Sequence, residues 1–170
     1  MVKSSRRKFL GNTLKSTAGL LTVSILPLGL TACNNDNKPK DVSSMANLGL
    51  LNELEKGEFP KKVNYKVTYK DAWVTQEEEG FVYINKNKDD NTLLIMSPIC
   101  THLGCTVPET SEELKQKDVY FQCPCHDGRY DEYGINAGGP PPRPFDVYEA
   151  FIQEGNVYIS IFDRIERKRS

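Results

Sequence analysis

Two short segments of the chain hold both histidines and four of its five cysteines. The first is Cys100–Cys105, with the sequence CTHLGC, and the second is Cys123–His126, with the sequence CPCH. Thiolate sulfur and imidazole nitrogen are ligands that zinc, copper and iron–sulfur clusters take in proteins. Each segment brings thiols and an imidazole to one place, so the pattern predicts a soft-metal centre built from two loops.

The six groups are compatible with more than one metal. A tetrahedral zinc site uses four Cys and His ligands and favours closely spaced pairs such as these. Covalent haem attachment needs Cys-x-x-Cys-His, and the second segment is one residue too short for it. Four ligands plus one cystine would use all six groups, and two Cys with two His are the ligand set of a Rieske [2Fe–2S] centre.

The order Cys-x-His-x-x-Cys followed by Cys-x-Cys-His resembles the Rieske iron–sulfur family, over about residues 43–161. The resemblance implies one [2Fe–2S] cluster with two ligands on each iron: Cys100 and Cys123 on one, His102 and His126 on the other. It also implies that Cys105 and Cys125 form a disulfide that clamps the two loops, as in the quinol-oxidising members. The alternative is a zinc knot or a pair of disulfides with no redox role.

This ligand set explains the chemistry that the resemblance implies. Two thiolates and two neutral imidazoles leave the oxidised cluster neutral, whereas four thiolates would make it dianionic. An electron enters a neutral centre more easily, so potentials rise to about −150 to +300 mV from about −400 mV. Reduction adds a negative charge, which favours proton uptake by the imidazoles. Quinol oxidation releases both particles, so His102 and His126 are the predicted catalytic residues.

Residues beside the second loop are expected to tune the potential. In high-potential members of the family, a Ser two places after the second His and a Tyr four places after it donate hydrogen bonds to cluster sulfurs. Tyr130 matches the Tyr, but Gly128 stands where the Ser would be. Asp127 replaces the usual Gly, and its charge would lower the potential further if it faces the centre. We expect a potential in the lower quinol-oxidising range, which fits menaquinol better than ubiquinol.

Two further features belong to the predicted site. Residues 138–144, GGPPPRP, resemble the proline loop that covers the cluster in this family. Residues with a fixed φ or with no side chain suit a rigid lid that approaches the metal closely. Leu103, between the first His and Cys105, is expected to shield the cluster from water and to contact a quinone ring.

The rest of the globular part is predicted to be all-β. Apolar and polar residues alternate over 63–69, and short apolar runs recur at 73–74, 81–84, 93–96, 119–122, 145–152 and 156–162. Several short strands within about 120 residues predict a small antiparallel β-sandwich or barrel. We expect the domain to span 45–170, with its cluster-binding part at about 97–144.

Local signals fill in the connections. Leu48, Leu51 and Leu54 lie three apart and precede Gly57, which predicts one or two helical turns with a glycine cap. Gly80, residues 85–91 and Gly155-Asn156 are expected to form turns. The acidic runs at 77–79 and 109–113 are interpreted as solvated loop surface.

The first 32 residues differ in composition from the rest. They hold five Lys and Arg and no acid, and residues 18–32 are largely apolar, as in an export signal. Residues 5–10, SRRKFL, resemble the twin-arginine motif, and residues 30–33, LTAC, resemble a lipobox, which implies diacylation of Cys33. Residues 33–44 are polar and predicted to be a flexible tether. An uncleaved helical anchor with an unmodified Cys33 is the alternative.

Composition limits the function classes. The 170 residues include 22 Lys and Arg against 23 Asp and Glu, which gives no indication of nucleic-acid binding. A hydrophobic fraction of 38% excludes a polytopic membrane protein.

The resemblance implies the electron-transfer subunit of a quinol–cytochrome c reductase of the cytochrome bc type. It would accept electrons from a quinol and pass them to a c-type cytochrome. Cytochrome b and c-type cytochrome subunits would be its partners, on the extracytoplasmic side of a bacterial cell membrane. Two alternatives stay open: the Rieske small subunit of a molybdenum oxidase such as arsenite oxidase, and a lipoprotein interaction domain stapled by disulfides or zinc.

Overall fold

The computed structural model describes residues 41–168, whose regular secondary structure is mainly β-strand. The strands are β1 (Ala46–Leu50), β2 (Lys61–Asp71), β3 (Val74–Lys86), β4 (Leu93–Met96), β5 (Phe121–Gln122), β6 (Arg129–Tyr130), β7 (Asn136–Gly138), β8 (Val147–Tyr148), β9 (Phe151–Gln153), β10 (Asn156–Ile159) and β11 (Arg164–Ile165). Two single-turn helices accompany them, α1 (Leu51–Leu54) and α2 (Glu112–Lys115). The all-β prediction is confirmed.

The strands form three antiparallel sheets. Their orders are β1-β10-β9, β11-β8-β4-β3-β2 and β5-β6-β7. The five-stranded sheet lies between the other two sheets. Each of its two faces carries apolar side chains, and each face packs against one of these sheets. Within the described residues, no helix is long and apolar enough to span a bilayer.

The alternation of side chains along β3 and β4 produces two cores. Successive residues of a strand point to opposite faces. Val82 and Ile95 therefore lie in a core shared with β1 and β10, whereas Tyr83 and Met96 lie in a second core. The second core also contains Cys100, Cys123 and aromatic residues of the loop region, so the central sheet supports the predicted metal loops directly.

β2 and β3 are much longer than the other strands and pair as a long hairpin. Its register runs from Lys61 opposite Ile84 to Asp71 opposite Val74, and a two-residue turn closes it. The predicted turn at Gly80 is wrong: this glycine lies within β3, opposite Tyr65. A Cβ on Gly80 would lie 2.5 Å from Tyr65 Oη, so the missing side chain makes room for the tyrosine. The acidic run 77–79 is exposed as expected, but it lies on this strand and not on a loop.

Two other local predictions need correction. Leu48 belongs to β1 and not to a helix, and only Leu51–Leu54 makes a helical turn. Pairing with β10 determines this outcome, since the strand bonds its backbone to Val157 and Ile159 and buries Leu48 in the first core. The single strand predicted for 145–152 is two strands, β8 and β9, which join different sheets. The acidic segment at 109–113 leads into α2.

Candidate metal centre

The first cysteine–histidine segment is a tight turn that follows β4. Ile99 and Thr106 pair as an isolated bridge at its base. The Cys100 N–H donates to the Cys105 carbonyl at 2.8 Å, and the Gly104 N–H donates to the Cys100 carbonyl at 3.0 Å. Gly104 has a φ of 81°, a conformation that glycine adopts without strain. The turn therefore holds both of its cysteines at the base.

The second segment is the connection between β5 and β6. The Cys123 N–H donates to the Gly128 carbonyl at 2.7 Å, and the Asp127 N–H donates to the Cys123 carbonyl at 3.1 Å. This turn buries Cys123 and leaves Cys125 and His126 exposed at the surface. Asp127 completes the turn with a φ of 56°, which is uncommon for a residue with a side chain.

The two loops meet at their tips. A disulfide joins Cys105 to Cys125, across a sequence separation of 20 residues, in the pairing that the resemblance implies. The rings of His102 and His126 lie edge to face, with centroids 4.9 Å apart. The fold thus brings one imidazole from each loop to the same place.

The donor set suits an iron–sulfur cluster. Cys100 and Cys123 are buried thiols outside the disulfide. His102 Nδ1 is buried and has no hydrogen-bond partner among the described residues, which is costly for a ring nitrogen unless a ligand satisfies it. Two free buried thiols, two adjacent imidazoles and one orphaned ring nitrogen fit the mixed ligation of a Rieske [2Fe–2S] centre.

A second grouping of sulfur atoms is not a rival metal site. The Sγ atoms of Cys105, Cys123 and Cys125 lie within 4.8 Å of one another. Two of these sulfurs are bonded together in the disulfide, so they offer no thiolate. The short distances show instead that the disulfide packs against Cys123.

Tyr130 lies beside the first thiol. Its hydroxyl is 3.3 Å from Cys100 Sγ, and the Thr101 N–H donates to the same oxygen at 3.2 Å. Burial, and next the hydrogen bond with Cys100, raise the pKa of Tyr130, so the phenol keeps its proton. With its oxygen occupied by the amide, the hydroxyl is free to donate toward the sulfur.

The proline loop, residues 138–144, contacts both cysteine–histidine loops. Pro141 is buried and packs against Gly128, which belongs to the second loop. The Thr101 hydroxyl, in the first loop, donates to the Arg143 carbonyl at 2.7 Å. The loop thus forms a third side of the region that the two other loops enclose.

Besides Cys125 and His126, Asp127 and Leu103 lie at the surface. The Asp127 carboxylate accepts hydrogen bonds from Arg129 and Gln122, and the contact with Arg129 is the main cause of a lowered pKa for this carboxyl. Its charge is therefore partly compensated. Leu103 is 70% exposed at the tip of the first loop, so its side chain is available to an incoming molecule.

The motifs do not predict some residues of the centre. Phe145 stacks on the Tyr130 ring at 3.9 Å, and Thr101 links the first loop to the proline loop. Arg143 also pairs with Asp146, the residue that precedes β8. Thr101 could have been noticed because it lies between two predicted ligands. Cys33 lies outside the described residues.

Comparisons with known proteins agree with this geometry. The family model for the Rieske [2Fe-2S] domain matches residues 50–149. The menaquinol:cytochrome c reductase iron-sulfur subunit of Bacillus subtilis is 36% identical over 91% of this chain and 90% of that protein. The subunit of the same description from Geobacillus thermodenitrificans is 31% identical over the same shares. A cytochrome b6-f complex iron-sulfur subunit of Nostoc is 39% identical over 43% of this chain and 39% of that protein.

The fold and the paired loops define a two-loop iron–sulfur protein with mixed cysteine and histidine donors. The chain belongs to the Rieske [2Fe–2S] family. Membership brings a [2Fe–2S] cluster and a role in electron transfer, as the redox subunit of an oxidoreductase complex.

Proposed function

We propose that this chain is the iron–sulfur subunit of a menaquinol:cytochrome c reductase of the cytochrome bc type. It would take electrons from menaquinol and pass them to a c-type cytochrome. The observation that carries the proposal is the joined pair of loops, in which two buried thiols lie below and His126 faces solvent. The two reductase subunits that match nearly the whole chain support the same assignment.

The residues of the centre have separate tasks in this proposal. Cys100 and Cys123 would bind one iron, and His102 and His126 the other. The bound cluster supplies a one-electron acceptor with a raised potential. The Cys105–Cys125 disulfide, which binds no iron, holds the two loops together.

The surface of the two loops would receive the quinol. His126 is exposed, so its ring can accept a hydrogen bond or a proton from a docked hydroxyl. Leu103, at the exposed tip of the first loop, offers an apolar contact for the quinol ring. His102 is only partly exposed, so its ring is less accessible to a quinol than that of His126.

Menaquinol is favoured over ubiquinol by the groups that surround the centre. Tyr130 is the one side-chain donor placed at a ligand sulfur within the described part of the chain. Gly128 offers no hydroxyl, so the reduced cluster would receive fewer hydrogen bonds than in high-potential relatives. A lower potential suits a more strongly reducing quinol.

The N-terminal part would hold the domain at the membrane. Residues 1–32 would be a twin-arginine or lipoprotein signal, Cys33 the lipid anchor, and residues 33–44 a tether to the domain at 45–170. The globular part would lie on the extracytoplasmic side of the bacterial cell membrane. Mass spectrometry of the mature chain tests this arrangement: a diacylated N-terminal Cys33 supports it, and an intact Met1 end indicates an uncleaved anchor instead.

Affinity purification of the chain from membranes tests the function. We expect cytochrome b and a c-type cytochrome to co-purify, with menaquinol-dependent cytochrome c reduction. His126→Ala should abolish this activity, whereas Ile152→Ser, on the surface of β9, should preserve it. Co-purification with a molybdenum subunit and without cytochrome b would contradict the proposal, as would a chain that holds only zinc.

A further inference from the structure

The tip of the β2–β3 hairpin exposes the only tryptophan of the chain. Trp73 is 93% exposed and Val74 is 47% exposed, and neither belongs to the two cores. The six β3 residues from Val74 to Glu79 are exposed on this projecting part of the hairpin. Folding therefore gains little from the indole, and an exposed aromatic side chain at such a position is typical of a contact site.

The hairpin tip lies toward the end of the domain where β1 begins. The start of β1, at Ala46, pairs with Ile159 at the end of β10. Three residues further on, the ring of Phe162 meets the ring of Tyr69 at 4.8 Å, and Tyr69 is three residues before the hairpin turn. The start of β1 therefore lies toward the end of the domain that carries Trp73.

The opposite end of β1 supports this orientation. β1 leads through α1 to the start of β2 at Lys61, which is the base of the hairpin. The Leu51 N–H also donates to the Gly155 carbonyl, in the turn between β9 and β10, at 2.9 Å. The base of the hairpin and the β9–β10 turn are therefore both on the side away from Ala46.

The charges near the tip are compatible with a lipid headgroup layer. Residues 70–76 hold one cation and one anion, Lys70 and Asp71, which balance. The acidic run lies further back along β3, and there Lys66 pairs with Glu77 at 2.9 Å and with Glu79 at 3.3 Å. A tip with an indole, a valine and no net charge matches the membrane–water interface, where tryptophan is enriched.

We infer that Trp73 and Val74 contact the headgroup region of the membrane that anchors the N-terminal segment, and thereby orient the domain on the lipid surface. This inference rests on the proposed membrane anchoring. One indole and one valine give weak affinity on their own. The tether makes the contact intramolecular and so raises the effective lipid concentration at the tip.

Fluorescence of the full chain in phosphatidylcholine vesicles tests the inference, because Trp73 is the single indole. We expect its emission maximum to lie at a shorter wavelength with vesicles than in the same detergent-free buffer without vesicles. Phosphatidylcholine with brominated acyl chains should remove most of the emission. Flotation of the same sample measures anchoring separately.

A relocated tryptophan is the matched control. The double variant Trp73→Phe/Ile152→Trp moves the indole to β9, beside the β9–β10 turn. The side chain of Ile152 is 60% exposed in the unaltered chain, so the new indole should face solvent. Brominated lipid should leave its emission nearly unchanged. Both chains should keep the same cluster absorption spectrum, since neither position touches the centre.

The outcomes separate the two proposals. A chain that floats with the vesicles while Trp73 stays unshifted and unquenched overturns the hairpin contact and leaves the anchoring intact. A chain that does not float overturns both. Trp73 that resists brominated lipid but becomes shielded from acrylamide when the cytochrome partners are added would identify a protein site, which also contradicts the inference.

Discussion

Pro141 packs against Gly128 so closely that an added Cβ on Gly128 would lie 2.5 Å from Pro141 Cγ. This contact closes the position that carries a serine in high-potential relatives. The ring of Pro141 in the proline loop occupies the space that a side chain at position 128 would enter. A serine cannot be introduced here without moving that loop.

We therefore predict that Gly128→Ser lowers the iron content per chain and the melting temperature, without a rise in midpoint potential. Gly128→Ala should have the same effect, because the clash involves Cβ. The double variant Gly128→Ser/Pro141→Ala removes the clashing ring and should have a higher potential than Pro141→Ala alone. A single Gly128→Ser chain with full iron content and a raised potential would contradict this account.

Tyr130→Phe should lower the midpoint potential. The hydroxyl, 3.3 Å from Cys100 Sγ, would stabilise the more negative reduced state. A differential of about 1 kcal/mol corresponds to about 40 mV for one electron. Tyr83→Phe is the matched control, since that buried hydroxyl donates to the Val107 carbonyl at 3.0 Å, away from the ligands. Redox titration followed by visible absorption measures both, and equal potentials in the two variants would refute the role of Tyr130.

The ion pair between Asp127 and Arg129 should moderate the charge beside His126. Arg129→Gln leaves the carboxylate without its main partner and should lower the midpoint potential. Asp127→Asn should raise it, and the double variant should lie close to the unaltered chain. Both side chains are about half exposed, so salt should reduce the differences. The same midpoint potential in all four chains would show that the Asp127–Arg129 ion pair does not influence the potential of the centre.

The Cys105–Cys125 disulfide should stabilise the loops against unfolding. Closing a loop of this sequence separation, 20 residues, contributes about 3 kcal/mol through the unfolded chain. Cys105→Ser/Cys125→Ser should therefore lose its cluster absorbance at a lower urea concentration. A double variant with the same urea midpoint as the unaltered chain would contradict this role of the disulfide.

Alkaline pH should destabilise the second core through Tyr83. Burial raises the pKa of this phenol to about 12. Its stabilising contribution is complete below the ordinary value of 10.0 and is lost as pH rises through about 12, because the unfolded chain ionises first. Tyr83→Phe should show a shallower loss of unfolding free energy between pH 10 and 12 than the unaltered chain. Urea titrations at several pH values give this slope, and identical slopes would contradict the assignment.

The two cysteine–histidine loops were predictable because the information that forms each loop is local. Cys100 and Cys105 lie at the two ends of one tight turn, and the second cysteine–histidine segment forms another tight turn. The spacing of the cysteines and histidines along the chain therefore already limits their arrangement within each loop. The disulfide pairing came from the resemblance. The partners of Asp127 were not foreseen, since a carboxylate two residues from an arginine can face either the centre or solvent.

The errors in the fold concern long-range pairing. Gly80 has the local character of a turn, but the tyrosine opposite it on β2 determines that it stays in a strand. Leu48 fits a helical spacing, and only the position of β10 decides that it becomes a strand residue. Neither partner can be inferred from the neighbouring residues, which is the physical reason why these predictions were wrong.

The most direct test of the account is metal analysis of the full chain together with electron paramagnetic resonance after reduction by dithionite. The account predicts two irons and two acid-labile sulfides per chain and a paramagnetic reduced state. It also predicts that Cys100→Ser and His126→Ala lose or alter that signal. A diamagnetic chain that contains zinc alone, or variants that take up an electron as the unaltered chain does, would contradict it.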